Sequence, residues 1–208
     1  MLVKAVDKVN LKVENGKFAM IVGRSGSGKT TLLSLIGGLT KPVAGTVKVD
    51  GVDLWTLNDS SQSKFRAKKI GFVFQIPSLL PTLTVLDNIK LPTMFAKDTV
   101  DVGERSLSLL SMVGLSEKAH AYPSQLSVGQ QKRVALARAL MNGPEIILAD
   151  EPTSDLDSAT ELEIMTLIKT VHLDGPKTVV MVTHNLDLNS YADKVWTMAN
   201  GVLTEAQN

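Results

Sequence analysis

The sequence predicts an α/β fold with a mostly parallel sheet, and three observations support this prediction. Phe18–Val22 (FAMIV) is continuously apolar, as is typical of a strand buried on both faces. A glycine-rich loop follows it and leads into a helical pattern from about Lys29 to Ile36. Three more short apolar runs are rich in β-branched residues: Ile70–Gln75, Glu145–Ala149 and Thr178–Thr183. Helical patterns lie between the last of these, and such alternation indicates a parallel sheet covered by helices.

Two hairpins are predicted in the first third of the chain. Val9–Val13 alternates apolar and polar residues and is joined to Phe18–Val22 through Asn15-Gly16, a strong turn signal. A second hairpin is expected over Thr46–Leu54, with its turn at Asp50-Gly51. We therefore expect a small antiparallel part beside the parallel sheet.

The segment after Gln75 differs from the rest. It contains four prolines, Pro77, Pro81, Pro92 and Pro123, and it has no convincing buried strand. One helix is expected over Glu104–Val113, with Leu107, Leu110 and Val113 on one face. We therefore expect one domain of 208 residues, in which residues 1–75 and 132–208 form the α/β core and residues 76–131 form an inserted helical subdomain.

Composition excludes several classes of protein. The 22 Lys and Arg residues nearly balance the 21 Asp and Glu residues, so non-specific binding to nucleic acid is not expected. There is no cysteine, which excludes disulfides and thiolate chemistry and is typical of a reducing compartment. No apolar run approaches the roughly 18 residues of a membrane span, and the N-terminus lacks a signal-peptide core. We expect a soluble, cytoplasmic protein.

The glycine-rich loop has the spacing of a phosphate-binding loop. GRSGSGKT fits G-x-x-x-x-G-K-[ST], and it lies between a buried strand and a helix, as that motif requires. Its glycines would let backbone N–H groups converge on phosphate oxygens, Lys29 would neutralise phosphate charge, and the Thr30 hydroxyl would coordinate Mg²⁺. The alternative, a flexible Gly/Ser loop, does not explain this context. The candidate nucleotide-binding residues are Gly23, Arg24, Ser25, Gly26, Ser27, Gly28, Lys29, Thr30 and Thr31.

Polar residues end the other predicted strands. Asp150 and Glu151 follow EIILA, Gln75 ends IGFVFQ, and His184 follows TVVMVT. Because functional sites in such sheets lie beyond the carboxyl ends of the strands, these side chains are expected at one edge. We assign Asp150 to a magnesium shell and Glu151 to a general base. Gln75 is a candidate contact of Mg²⁺ or the attacking water, and His184 of a γ-phosphate. Solvated loop acids and structural polar residues are the alternatives.

Two helix starts follow cap patterns. Ser127 and Gln130 form S-x-x-Q, so SVGQ is either a capping box, a second phosphate-binding surface, or both. Ser158 and Glu161 form S-x-x-E, while Asp157 could itself cap the next helix.

The chain resembles the nucleotide-binding subunit of an ABC transporter over nearly its whole length. GRSGSGKT is similar to the Walker A motif of that family, Gln75 to its Q-loop, LSVGQ to its signature, IILADE to its Walker B, SDLD to its D-loop and VTHN to its H-loop. All occur in the family order. KIGFVFQ, LLPTLTVLDNIKLP and ILADEPTSDLDSAT most resemble the subgroup of macrolide exporters, lipoprotein-release systems and the cell-division complex.

The resemblance implies a P-loop NTPase (RecA-like) core and an ATPase that uses ATP and Mg²⁺. Thr30, Gln75 and Asp150 would hold the metal; Glu151, His184 and Gln75 would serve catalysis; and Asp157 would belong to the D-loop. Two chains, identical or different, would dimerise head to tail. The signature of one chain would then meet the nucleotide of the other, through Leu126, Ser127, Val128, Gly129 and Gln130. The Gln75–Leu91 region would contact an integral membrane permease, which implies a place on the cytoplasmic face of the membrane.

The sequence departs from the family pattern at four places. Val128 replaces a glycine, so we expect ordinary helix-entry dihedrals there. Arg24 and Asp155 stand where Pro and a small residue or Asn are commoner. Only 22 residues precede Gly23, and their one aromatic residue, Phe18, lies inside a predicted strand. We therefore expect the family's N-terminal strand and adenine-stacking residue to be absent, and ATP and GTP to turn over comparably.

Three other functions compete with a transporter ATPase. A soluble ABC ATPase of DNA repair or translation usually carries a coiled-coil, zinc or tandem-domain insertion, for which this chain has no room. A signalling ATPase of the cell-division type shares all these motifs. A simple phosphate-loop kinase does not explain LSVGQ or His184.

Overall fold

The strands form a six-stranded sheet and a separate small hairpin. The computed structural model describes residues 4–96, 101–175 and 177–206. In chain order the strands are β1 Phe18–Val22, β2 Lys48–Val49, β3 Val52–Asp53, β4 Ile70–Val73, β5 Ile146–Asp150, β6 Thr178–Thr183, β7 Lys194–Ala199 and β8 Val202–Glu205. The main sheet has the order β4-β5-β6-β1-β7-β8; only β8 is antiparallel to its neighbour. The β2–β3 pair forms the separate hairpin.

Six α-helices connect these strands within the described residues: α1 Lys29–Ile36, α2 Asp59–Lys69, α3 Val85–Lys90, α4 Val102–Met112, α5 Val128–Ala139 and α6 Ser158–Leu173. Short 3₁₀ segments lie at Leu54–Thr56, Leu91–Met94, Ser116–Lys118, Pro123–Gln125 and Leu186–Tyr191. None of the described helices is long and apolar enough to cross a membrane. The α/β class, with its mostly parallel sheet and small antiparallel part, is confirmed.

The sheet has an apolar layer on each face, and β1 contributes to both. Its alternate side chains Phe18, Met20 and Val22 belong to one buried cluster, and Ala19 and Ile21 belong to the other. This alternation is why the run is apolar at every position. The first cluster is filled by α3, α4, α5 and α6, and the second by α1. Helical residues from the 76–131 segment therefore share one core with the sheet.

The predicted hairpin between Val9–Val13 and β1 is wrong. The structure assigns no strand to residues 9–13, because β1 pairs in parallel with β6 on one side and β7 on the other. A strand with two neighbours has no free edge for a hairpin partner. The alternating side chains of Val9, Leu11 and Val13 instead pack against the sheet's second apolar cluster.

Most other predicted elements are confirmed, and a few were missed. β1, α1 and β6 have the predicted bounds, and the hairpin at Asp50-Gly51 forms. Helix α4 covers the expected region, but Leu107 is 52% exposed, so it does not share the buried face of Leu110 and Val113. The long helix α2 and the β7–β8 pair were not predicted.

Candidate active site

The carboxyl ends of the parallel strands lie at one edge of the sheet, and a cavity of about 1160 Å³ opens there. Three predicted polar residues from different strand ends line it: Gln75, Glu151 and His184. The whole predicted phosphate loop also lines it: Gly23, Arg24, Ser25, Gly26, Ser27, Gly28, Lys29, Thr30 and Thr31. The fold thus brings together predicted site residues that are up to 161 positions apart, from Gly23 to His184.

Two glycines of the loop are required by its backbone. Gly26 has φ 76° and Gly28 has φ 105°, a region that other residues rarely adopt. A Cβ at Gly28 would also lie 1.9 Å from the Ala5 carbonyl oxygen, so the chain near the N-terminus passes directly against the loop. The loop therefore tolerates no side chain at this position.

Lys29 holds the loop together from inside. Its side chain is 4% exposed, and its Nζ donates to the carbonyl oxygens of Gly23 (2.8 Å) and Arg24 (3.1 Å). The same Nζ lies 3.3 Å from Glu151 Oε1. The hydroxyl of Ser27 is buried in this loop and has no hydrogen-bond partner among the described residues. A buried ammonium and an unpartnered buried hydroxyl suit a cradle for an anionic group.

Glu151 is held between two basic side chains. One carboxylate oxygen faces Lys29, and the other lies 2.6 Å from His184 Nδ1, which donates to it when that nitrogen is protonated. The backbone of Glu151 is left-handed (φ 43°), and its N–H donates to the carbonyl of Val182 at 2.9 Å. A non-glycine residue in this conformation is strained, and such strain concentrates at functional sites. The position of the Glu151 carboxylate is therefore set by both backbone and side-chain contacts.

Asp150 and Thr30 supply oxygen atoms beside the loop. The Thr30 hydroxyl donates to Asp150 Oδ1 at 3.1 Å, and Asp150 is 5% exposed. Burial raises the pKa of Asp150, and the hydrogen bond from Thr30 opposes this effect. A hydroxyl, a carboxylate and the nearby Gln75 amide are hard oxygen donors of the kind that Mg²⁺ prefers. The residues present therefore fit a magnesium ion, whose positive charge would offset the cost of burying Asp150.

Lys132 is a site residue that the sequence analysis missed. It lies on α5, is 5% exposed, and its Nζ donates to the Gln75 carbonyl and the Ser154 hydroxyl, both at 3.2 Å. Desolvation lowers its pKa, while the charges of Asp155 and Glu151 oppose that shift. It ties α5 to two loops of the cavity. No motif in the sequence singles out Lys132, and lysine is rarely buried.

The SVGQ segment forms the predicted capping box. Gln130 N donates to Ser127 Oγ (3.3 Å), and Ser127 N donates to Gln130 Oε1 (3.0 Å). Val128 is the first residue of α5 and does not have a positive φ, as expected. A Cβ at Gly129 would lie 2.6 Å from Thr160 Cγ2, so α5 starts against the start of α6. None of the five predicted signature residues lines the cavity of its own chain.

The cap of α6 is Asp157, so the predicted Ser158 capping box is wrong. The Asp157 carboxylate accepts from the N–H groups of Ala159 (3.1 Å) and Thr160 (3.0 Å), which makes Ser158 the first helical residue. Hydrogen bonds from the Thr160 N–H and hydroxyl lower the pKa of Asp157. The Glu161 carboxylate accepts from Asn185 Nδ2 at 3.0 Å instead of closing a box.

Part of the cavity wall comes from elements that the sequence analysis overlooked. Residues from the end of β7 and the turn after it line the cavity beside Ala5 and Leu186: Thr197, Met198, Ala199 and Asn200. Asn200-Gly201 between β7 and β8, with φ of 48° and 80°, was an available hairpin signal.

Among the described residues, no Phe, Tyr or Trp side chain lines the cavity. Comparable turnover of ATP and GTP stays a prediction, which parallel rate measurements with the two nucleotides would check.

Comparisons with known proteins identify close relatives. A family model described as ABC transporter matches residues 6–154. An uncharacterised ABC transporter ATP-binding protein of Methanocaldococcus jannaschii, MJ0796, is 45% identical over 205 residues, covering 96% of this chain and 87% of the relative. The macrolide export ATP-binding/permease protein MacB 2 of Aeromonas hydrophila is 42% identical over 204 residues, covering 98% of this chain and 31% of that protein.

The fold of a solved relative is similar as well. A dimeric structure of a post-hydrolysis state of the ATP-binding cassette MJ0796, bound to ADP and Pi, matches with a TM-score of 0.89 at 42% identity. The match covers 98% of this chain and 91% of that one.

Proposed function

The chain belongs to the ABC transporter family, and from this premise we propose that it is the ATP-hydrolysing subunit that drives a separate membrane protein. It is an ABC-type ATPase. The observation that carries the proposal is the convergence of Lys29, Thr30, Glu151 and His184 on one cavity at the strand ends, where the Thr30 hydroxyl also donates to the buried Asp150 carboxylate.

The side chains divide the chemistry of hydrolysis among them. The backbone N–H groups of the loop and the Lys29 ammonium bind and neutralise the phosphates of ATP. Glu151 takes a proton from the attacking water, and a positioned general base typically contributes ~10²–10⁴-fold. His184 holds the Glu151 carboxylate in place, since its Nδ1 lies 2.6 Å from Oε2.

Magnesium is part of the proposal. Thr30, Asp150 and Gln75 would hold it, and when bound it would offset phosphate charge. Removal of Mg²⁺ should therefore abolish turnover.

A second chain completes the site in this proposal. Ser127 and Val128 are exposed, and the signature segment does not line its own chain's cavity. The start of α5 is thus free to meet the nucleotide of a partner chain, where a helix N-terminus favours an anion. The dimeric structure of MJ0796 supports this arrangement. ATP would close the dimer and hydrolysis would open it.

We propose that the membrane partner docks on the surface formed by the Gln75–Leu91 region and a groove of about 310 Å³ beside it. Phe72 and Phe74 stack in the groove with ring centroids 4.4 Å apart, and Phe74 is 38% exposed. Nearby, Ile76 is 74% exposed and Leu80 is 46% exposed. Exposed apolar side chains concentrated at one groove suit a protein contact. Because several relatives are named macrolide export ATP-binding/permease proteins, we propose export, on the cytoplasmic face of the membrane.

One experiment tests the shared site. Glu151→Gln removes the base without removing its hydrogen-bonding shape, so bound ATP persists. We expect this variant to be monomeric alone and to reach about twice the chain mass with ATP and Mg²⁺, measured by light scattering after size exclusion. Lys29→Met in the same background is the control and should stay monomeric. A Glu151→Gln chain that saturates with ATP yet stays monomeric would refute the shared site.

A further inference from the structure

Two exposed, oppositely charged side chains at the mouth of the cavity have no role in the chemistry described above. Arg24 and Asp155 both line the cavity, and both are exposed. Among the residues that the structure describes, neither the Arg24 guanidinium nor the Asp155 carboxylate makes a hydrogen bond or an ion pair, although the charge of Asp155 acts on Lys132. Within one chain, therefore, each of these two charged side chains lacks an ion-pair partner among the described residues.

The backbone fixes where each of these side chains starts. The Arg24 carbonyl accepts from Lys29 Nζ at 3.1 Å, which holds the residue in the phosphate loop while its side chain extends into solvent. Asp155 is left-handed, with φ 59°. Asp and Asn both tolerate that conformation, so backbone geometry alone does not select the charged residue. The carboxylate charge calls for another explanation.

Asp155 lies on the same side of the molecule as the start of α5. A Cβ at Gly129 would contact Thr160, and Asp157 caps the helix that carries Thr160. The segment 155–157 is thus a neighbour of the signature. If the signature of one copy meets the nucleotide of another, this segment must approach the other copy's phosphate loop, where Arg24 lies.

We propose that Arg24 of one copy pairs with Asp155 of a second copy across the ATP-closed interface, and that this pair favours a second copy of the same chain as partner. The inference rests on the shared site proposed above. A two-fold interface uses each contact twice, so each dimer contains two such pairs. Both halves of the pair belong to one sequence, and complementary charge selects against partners that lack either half.

Charge reversal in the Glu151→Gln background tests the pair, with ATP-dependent dimerisation as the readout. Arg24→Asp alone places like charges opposite one another at both contacts, and so does Asp155→Arg alone. We expect each single reversal to raise the concentration needed for half-dimerisation by about tenfold or more. The difference should shrink at about 1 M salt, where the Debye length is about 3 Å.

Mixing the two singly reversed chains distinguishes contacts between chains from contacts within one chain. In the mixed dimer both pairs are complementary again, so dimerisation should return to near the parent value. A pair within one chain would be restored only by the double reversal Arg24→Asp/Asp155→Arg, and not by the mixture. The neutral variant Arg24→Gln/Asp155→Asn should dimerise with little salt dependence. Circular dichroism and ATP binding of each monomer control for folding and for the loop's own affinity.

The outcomes separate the two proposals. A parent that dimerises while both single reversals have no effect overturns the pair and leaves the shared site intact. Rescue by the double reversal but not by the mixture also overturns the pairing between chains. A parent that stays monomeric with bound ATP overturns the shared site and the pair together.

Discussion

At position 128 the first turn of α5 carries a valine, 52% exposed, directly after the Ser127 cap. Its φ is not positive, so the position does not need a glycine's conformational freedom. We expect Val128→Gly to change ATP turnover by no more than a few-fold in a steady-state phosphate-release assay. A large gain in turnover would show that the valine obstructs the site.

Gly129 offers a matched contrast one residue later. A Cβ there would lie 2.6 Å from Thr160 Cγ2, so Gly129→Ala should displace the start of α5 from α6. We expect a clear loss of ATP-dependent dimerisation for this variant. The two neighbouring positions thus distinguish a requirement for glycine's backbone freedom, tested at Val128, from a requirement for the small volume of glycine, tested at Gly129.

In the proposed magnesium site, Asp150 is buried at the expense of stability. Its carboxylate is 5% exposed, and burial raises its pKa, so its charged form costs free energy in the nucleotide-free protein. Asp150→Asn can keep an oxygen for the Thr30 hydroxyl while removing the charge. We expect the free energy of unfolding to rise by about 1 kcal/mol and Mg²⁺-dependent turnover to be lost.

Denaturant titration and an ATPase assay check this pair of effects. Asp174→Asn, at an exposed position, is the control and should change stability by less than about 0.5 kcal/mol. An Asp150→Asn protein that is less stable, or that keeps full turnover, would contradict the assignment.

At the scale of elements, Asn88 organises the loop before α3. Its side chain is fully buried; Oδ1 accepts from Leu80 N (2.8 Å), and Nδ2 donates to the carbonyls of Leu80, Leu83 and Thr84 at 2.9 to 3.2 Å. These four bonds fix the middle of the surface proposed for the membrane partner.

Removing that side chain should destabilise the protein. Asn88→Ala leaves four backbone groups without this partner, so we expect the free energy of unfolding to fall by about 2–4 kcal/mol in denaturant titration. Asn10→Ala, at an exposed position whose side chain makes no hydrogen bond within the part of the chain that the structure describes, should stay within about 0.5 kcal/mol. Equal effects at both positions would mean that the loop holds its shape without Asn88.

Elements could be predicted where local pattern and final position agree. FAMIV and TVVMVT are apolar at every residue because both faces of their strands are covered, and the loop after β1 has a fixed spacing. The strand prediction for Val9–Val13 was wrong because its alternation of apolar and polar residues reflects packing against the sheet. Strand pairing also depends on which strand edges remain free, and β1 has neighbours on both sides. Lys132 could not be predicted, since its burial depends on the distant loops at Gln75 and Ser154.

At the scale of the whole molecule, the helical segment and the sheet share one apolar core. Leu110 of α4 is fully buried in the same cluster as Phe18 of β1 and Ile147 of β5. A shared core predicts that the two parts unfold together. The proposed division at residues 76–131 would then mark a structural insertion and not an independently folding unit.

Leu110→Ala tests this cooperativity. Both tryptophans, Trp55 and Trp196, lie outside the 76–131 segment, so their fluorescence reports on the rest of the protein. We expect Leu110→Ala to lower the free energy of unfolding by about 2–5 kcal/mol and to shift the fluorescence and circular dichroism transitions equally. Leu107→Ala, on the same helix but 52% exposed, should shift neither by more than about 0.5 kcal/mol. Separate transitions would show independent units.

The central place of β1 has a consequence for synthesis on the ribosome. β1 leads directly into the phosphate loop, yet its two neighbours are β6 and β7, and its Ala19 pairs with Val180 and Lys194. During translation β1 must therefore wait until β6 and β7 have been synthesised before its backbone is fully paired. A nascent chain arrested before β7 would carry every phosphate-loop residue without a finished wall behind them, so ATP capture should begin only after β7 has been synthesised.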